Sequence, residues 1–154
     1  MGHQNPSDDE LRRLLSEAQN IAVVGASADP ERPSHGIFGR LLSAGYRVIP
    51  VNPRESSVLG QPAVASLAAA AQALAPGRVD IVNVFRRPEH TPAIADEAVA
   101  VGAKALWLQS GIWNEEAAAR AKAGGLLVVM DDCIGVAHAR LRVPRRPDPG
   151  ATRA

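Results

Sequence analysis

The chain has 154 residues, 46% of them apolar, and 17 basic side chains against 16 acidic ones give a formal net charge of +1. That length supports one compact domain, burying roughly 70% of its unfolded surface, and argues against two. The balanced charge recruits neither nucleic acid nor a membrane surface, and no apolar run nears the ~20 residues that span a bilayer. The acidic N-terminus lacks a signal-peptide core, and the single cysteine, Cys133, allows no intrachain disulfide, which fits a reducing cytoplasm.

Ser7-Asp8-Asp9-Glu10 has capping-box spacing, and Leu11, Leu14, Leu15 and Ala18 then share one face of a short amphipathic helix. The apolar run Asn20-Ile21-Ala22-Val23-Val24 reads as a buried strand that enters a glycine turn at Gly25, a polar loop, and a helix beginning near Ser34. Gly36 to Ala44 forms the body of that crossover helix, closed by Gly45. Tyr46–Asn52 is a second strand and Leu67–Leu74 a second crossover helix, ended by Pro76-Gly77. Val79–Phe85 is a third strand, Pro88–Val101 a third crossover helix, Lys104–Leu108 a fourth strand, Asn114–Ala123 a fourth crossover helix and Leu126–Met130 a fifth strand.

Five short strands alternating with helices imply βαβ units. The expected fold is α/β: a Rossmann-like, doubly wound, mostly parallel five-stranded sheet with helices on both faces and its ligand at the carboxyl ends of the strands. The domain is expected to span residues 7–143. Residues 144–154 read as a disordered, proline-rich basic tail. From Arg140 onward five arginines face one aspartate, but no aromatic residue is there to stack on a base, so a solvated tail is the simpler reading than a nucleic-acid arm.

The loop after the first strand is the feature around which the rest is arranged. Its backbone amides and the positive end of the following helix form a cradle for an anion. It is not a dinucleotide fingerprint, because Gly25, Ser27 and Pro30 occupy the three glycine positions. NAD-binding folds end their second strand in an acidic residue that holds the ribose; here the ending is Val51-Asn52-Pro53-Arg54. A guanidinium there favours a phosphorylated ribose, the 2′-phosphate of NADP or the 3′-phosphate of coenzyme A. Arg32 can hold the pyrophosphate, Phe85 can lie against an adenine face with Arg86 stacking or binding phosphate, and Gln109 can hydrogen-bond a ligand amide. Each of these also has a plain reading: solvated surface arginines, and Phe85 and Trp107 as core.

Taken as an ordered set, several segments resemble the stand-alone CoA-binding proteins and, through them, the N-terminal CoA-binding domain of the succinyl-CoA synthetase α chain. The segments are Gly25-Ala26-Ser27, Arg32-Pro33-Ser34, Gly45-Tyr46, Val51-Asn52-Pro53, Val84-Phe85-Arg86-Arg87-Pro88-Glu89, Gly102-Ala103-Lys104, Trp107 with Gln109 and Gly111, and Met130-Asp131 before Cys133. The resemblance runs from about Asn20 to Leu141 and implies a Rossmann-like domain whose cofactor is coenzyme A. It also implies roles. Gly25, Ala26 and Ser27 approach the diphosphate, Arg32 and Ser34 bind phosphate, Asn52, Pro53 and Arg54 line the ribose-phosphate end, and Phe85 and Arg86 form the opposite wall. Where family members often carry a basic residue before the cysteine and a glutamate before the late histidine, this chain has Asp132 and Ala137.

No catalytic or metal-binding constellation is legible. The synthetases use a phosphohistidine in a further domain, so ligase activity is not expected here, and His3, His35, His90 and His138 have no metal-ligand spacing. The expected function is therefore non-catalytic binding of coenzyme A or an acyl-CoA, as carrier, sensor or regulatory protein. The alternatives are an NADP-dependent oxidoreductase and an interaction scaffold without ligand. A homodimer is only the default for a small domain. Cys133, after the last strand, is either an inert packed cysteine or a group that meets the CoA thiol and pairs with it when oxidised.

Overall fold

The computed structural model describes residues 2–147. Helix α1 (Asp8–Glu17) begins with the expected box: Ser7 Oγ accepts from the Glu10 amide while Glu10 Oε1 accepts from the Ser7 amide, both at 3.2 Å. Its buried stripe is Leu11, Leu14 and Leu15. Strands β1 (Asn20–Val24) and β2 (Arg47–Val51) flank α2 (Pro33–Ser43), which starts on Pro33, where the missing N–H costs nothing.

Then follow a small antiparallel hairpin, β3 (Ser57–Val58) with β4 (Gln61–Pro62), and α3 (Leu67–Leu74), capped by Ser66. After β5 (Ile81–Val84), a 3-10 turn (Pro88–His90) leads into α4 (Thr91–Ala100), then β6 (Ala105–Leu108) and α5 (Glu115–Ala123), capped by Asn114. Strand β7 (Leu127–Val129) and α6 (Ile134–Arg140) complete the order.

The main sheet is wholly parallel, in the order β2-β1-β5-β6-β7. Strand alternation divides its core in two. Ala22, Val24, Val82 and Leu106 face α3, α4 and α5, while Ile21, Val23, Ile81 and Trp107 face α1, α2 and α6. The five expected strands and four crossover helices are present. Residues 88–90, expected to be α-helical, form the tighter turn before Thr91, because Pro92 lacks the amide that would donate to Pro88 O in an α-helix begun at Pro88. The β3–β4 hairpin and α6 add to the expected set.

The sheet's register matters most. Val24 lies opposite Val51 and Val84, and Val84 lies opposite Leu108. The next residues, Gly25, Asn52, Phe85 and Gln109, therefore leave the sheet at one level. The chain moves from β1 outward to β2 and then across to β5 on the other side of β1, so the order reverses between β1 and β5. That is where open α/β sheets hold their ligands.

At the opposite end, residues 144–147 are tied to the domain: Arg146 N donates to Ala44 O at 2.7 Å, Arg146 Nη1 to Ser16 O at 2.6 Å, and Arg145 Nε to Ser43 O at 2.7 Å. The rest of the expected tail, residues 148–154, lies outside the described residues. Among the described residues, no helix is long and apolar enough to cross a membrane.

Candidate functional site

Gly25 sets the geometry at the reversal point. Its φ is +88°, and a Cβ placed on it would lie 2.6 Å from the backbone carbonyl oxygen of Phe85. Only glycine permits both that conformation and that approach. The Gly25 amide donates to Val51 O at 3.0 Å and the Phe85 amide to Val24 O at 2.9 Å, so the exits of β1, β2 and β5 are pinned together.

Asn52 extends the link. Its Nδ2 donates to Ala26 O at 2.8 Å, and its Oδ1 accepts from the Arg54 amide at 2.9 Å, folding the chain after β2 back towards the loop after β1. That loop is closed by its own side chains: the Asp29 amide donates to Ser27 Oγ at 3.0 Å and the Glu31 amide to Asp29 Oδ1 at 2.9 Å. Helix α2 has no side-chain cap hydrogen bond and no acidic residue in its first turn. Its positive end thus faces no acidic side chain in its own first turn, although the His35 amide already donates to Arg32 O at 3.0 Å.

A cavity of about 950 Å³ opens over this edge, at the upper end of the range for small-molecule and cofactor sites, roughly 300–1,000 Å³. Gly25, Ser27, Arg32, Ser34, Asn52, Arg54, Phe85, Arg86 and Cys133 all line it. A smaller pocket of about 430 Å³ shares Gly25, Asn52, Arg54 and Arg86 and adds Pro53. Of the cofactor-site residues singled out from the sequence, Ala26 alone lines neither cavity: its side chain is fully buried in the core, and its carbonyl is the acceptor for Asn52.

The lining is basic. Arg32, Arg54, Arg86 and Arg87 reach the cavity, and among the described residues none of the four has a carboxylate within ion-pair distance, unlike Arg12, Arg78, Arg120 and Arg140. Ile37, Phe85 and Ile112 make other parts of the wall apolar. Phe85 packs against the α1–α2–α6 side of the core and also lines the cavity.

A buried polar network forms the floor. Asn83, fully buried in β5, donates Nδ2 to Gln109 Oε1 at 3.0 Å, and the same oxygen accepts from the Ile134 amide at 2.9 Å. Trp107 Nε1 donates to Asp132 O at 2.7 Å. These bonds fix the start of α6 and hence Cys133, which is half-buried on the cavity wall. The carbonyl of Gln109 is consumed internally, so a ligand meets only its Nε2 donor. Asp131, at φ +55°, accepts from the Gly111 amide at 2.7 Å and ties the β6–α5 loop to the end of β7.

Sequence reasoning passed over Glu55, Arg87, Ile37, Ser110 and Ile112, which also line the cavity. Glu55 and Arg87 follow singled-out arginines by one position, and that adjacency was the available signal. Burial pushes the Asp132 carboxyl above its ordinary range, with Arg140 opposing, and burial pushes His138 below its ordinary range. Neither lines the cavity. Among the described residues, no group of His, Cys, Asp and Glu is placed to hold a metal ion.

Comparison with known proteins places this geometry among relatives. A family model described as "CoA binding domain" matches residues 19–139. The chain is 46% identical over 136 residues to the uncharacterized protein YneT of Bacillus subtilis (strain 168), covering 88% of this chain and 97% of that protein. A solved structure from Thermus thermophilus superposes with a TM-score of 0.80 at 43% identity, covering 88% of this chain and 99% of that one. A dinucleotide-forming acetyl-coenzyme A synthetase from Ca. Korarchaeum cryptofilum, solved with phosphate and ADP, superposes with a TM-score of 0.64 at 27% identity. It matches 79% of this chain but only 27% of its own length.

Proposed function

The chain belongs to the CoA binding domain family, and from that premise we propose that it binds coenzyme A, or an acyl-CoA, across the β1–β5 reversal point as a non-catalytic carrier, sensor or regulatory protein. The observation that carries the reading is the cavity's basic lining: Arg32, Arg54, Arg86 and Arg87, with no ion-pair partner among the described residues. Four guanidiniums against the single carboxylate of Glu55 leave the lining with excess positive charge, which a polyanion neutralises.

In this reading the Gly25–Ser27 backbone and the first turn of α2, with Arg32 and Ser34, meet the diphosphate. Asn52, Pro53 and Arg54 take the ribose 3′-phosphate, and Phe85 with Arg86 forms the wall beside the adenosine. The pantetheine arm continues along Ile37 and Ile112 towards Cys133. The lining residues bind and orient, and Cys133 lines the cavity while His138 does not, which argues against the two acting as nucleophile and base.

A melting panel with CoA, acetyl-CoA, dephospho-CoA, NADP, NAD and ATP tests this. Ligand at 100 times its dissociation constant adds ~2.7 kcal/mol, worth roughly 5–11 °C for a chain of this size. CoA and acetyl-CoA are expected to give that shift. A shift with NADP and none with CoA would instead support the oxidoreductase reading, which shares Arg54.

A further inference from the structure

Against the four arginines lining the main cavity stands one carboxylate, Glu55. The turn after β2 aims it: Asn52 Oδ1 holds the Arg54 amide at 2.9 Å and Asn52 O accepts from the Glu55 amide at 3.2 Å, which returns the side chain across the cavity. Glu55 Oε2 then accepts from the Ala28 amide at 2.6 Å, a charge-assisted bond to the middle of the Gly25–Arg32 loop.

The other amides of that loop are accounted for. Those of Asp29, Glu31 and Arg32 are satisfied inside the loop. Pro30 has none to offer. The amides of Ala26 and Ser27 have no hydrogen-bond partner among the described residues; Ala26 is fully buried, and Ser27 lines the cavity. Next to the unpartnered amide of Ser27 at the cavity wall, therefore, the Ala28 amide is held by the protein's own anion.

We propose that Glu55 is a built-in competitor for the phosphate cradle, holding the Ala28 amide that the ligand's diphosphate takes and swinging out as the polyanion enters. This rests on the reading of the cavity as a CoA site and names a residue that sets its affinity. A carboxylate serves two ends here. It satisfies a backbone donor that would otherwise be left to solvent, and its repulsion of phosphate keeps binding weaker than the arginines alone would make it, so bound CoA can be released. The discrimination is by charge. The effect of Glu55 should be large for ligands bearing a diphosphate and absent for uncharged fragments such as pantetheine.

Glu55→Gln separates charge from hydrogen bonding, because the amide oxygen still accepts from Ala28 while the charge is gone. Calorimetric titration of the wild-type and E55Q chains with CoA, inorganic pyrophosphate and pantetheine is the test. E55Q is expected to bind CoA and pyrophosphate roughly five- to tenfold more tightly, since one like charge has left the cradle, with pantetheine unchanged. Unchanged or weaker CoA binding by E55Q, with wild type binding CoA, overturns the proposal and leaves the CoA site standing, Glu55 then being a loop tie. If neither protein binds CoA but E55Q still gains affinity for pyrophosphate, the CoA reading falls and the competitor stands. If neither binds any of the anions, both fall.

Discussion

Gly25→Ala probes the point where fold and site coincide. An L-residue at φ +88° is strained by about 1–2 kcal/mol. Its Cβ would lie 2.6 Å from Phe85 O, and relief requires the exits of β1 and β5 to part by several tenths of an ångström. Shifts of that kind in a packed interior cost roughly 1–3 kcal/mol. Together these give about 3 kcal/mol, or a fall in Tm of roughly 6–12 °C.

The same parting moves the loop amides against the arginines, so CoA affinity should fall at least about tenfold by calorimetry. Gly45→Ala is the control. Gly45 also has positive φ (+93°), and its Cβ would meet the Arg146 backbone, but it stands at the other end of the sheet. It should lose comparable stability and keep its CoA affinity. A G25A chain with wild-type Tm and affinity, or a G45A chain that loses affinity as G25A does, would refute the argument that Gly25 is required by the site.

Three further outcomes follow from the same geometry. Arg54→Ala should weaken CoA about tenfold while changing dephospho-CoA little, because the guanidinium is assigned to the 3′-phosphate; equal losses in titration would remove that assignment. Tyr46 is 3% exposed and donates its hydroxyl to Leu15 O, and burial pushes its pKa up to about 12, with Arg146 opposing. The folded pKa lies above the unfolded value of about 10, so the stability that Tyr46 contributes is intact below pH 10. It is lost as pH rises towards 12, by roughly 2–3 kcal/mol. Denaturant midpoints of the Tyr46→Phe chain should lack that loss, and an identical pH profile would contradict it. Incubation with CoA disulfide should give a mixed disulfide on Cys133: its thiolate attacks one sulfur of the reagent and the other CoA leaves as a thiolate. Mass spectrometry showing no adduct would confine Cys133 to packing.

The sheet was legible because its strands are short apolar runs closed by glycine or proline, and because register carries one strand end to the level of the next. Reading Arg54 and Phe85 as strand-end residues was enough to place them beside Gly25. Helix α6 escaped because seven residues containing Gly135 and no capping side chain carry little helical periodicity. The β3–β4 hairpin escaped because two-residue strands have no alternation to detect; its turn places Leu59, at φ +47°, before Gly60 at φ +80°. Glu55 offered little beyond its adjacency to Arg54, for a different reason. A carboxylate four residues past a strand reads as solvated surface, and its bond to the Ala28 amide exists only once the Asn52 turn is folded. Gln109 shows the converse: its position at a strand end was readable, but the commitment of its carbonyl to Asn83 and Ile134 depends on a helix the sequence did not announce.

The central claim is that this cavity takes coenzyme A. Isothermal titration of the wild-type chain with CoA and, in parallel, NADP tests it most directly. One CoA per chain should bind saturably, more weakly with added salt because the arginines carry the binding, and NADP should give no comparable heat. Saturable binding of NADP with none of CoA would contradict it.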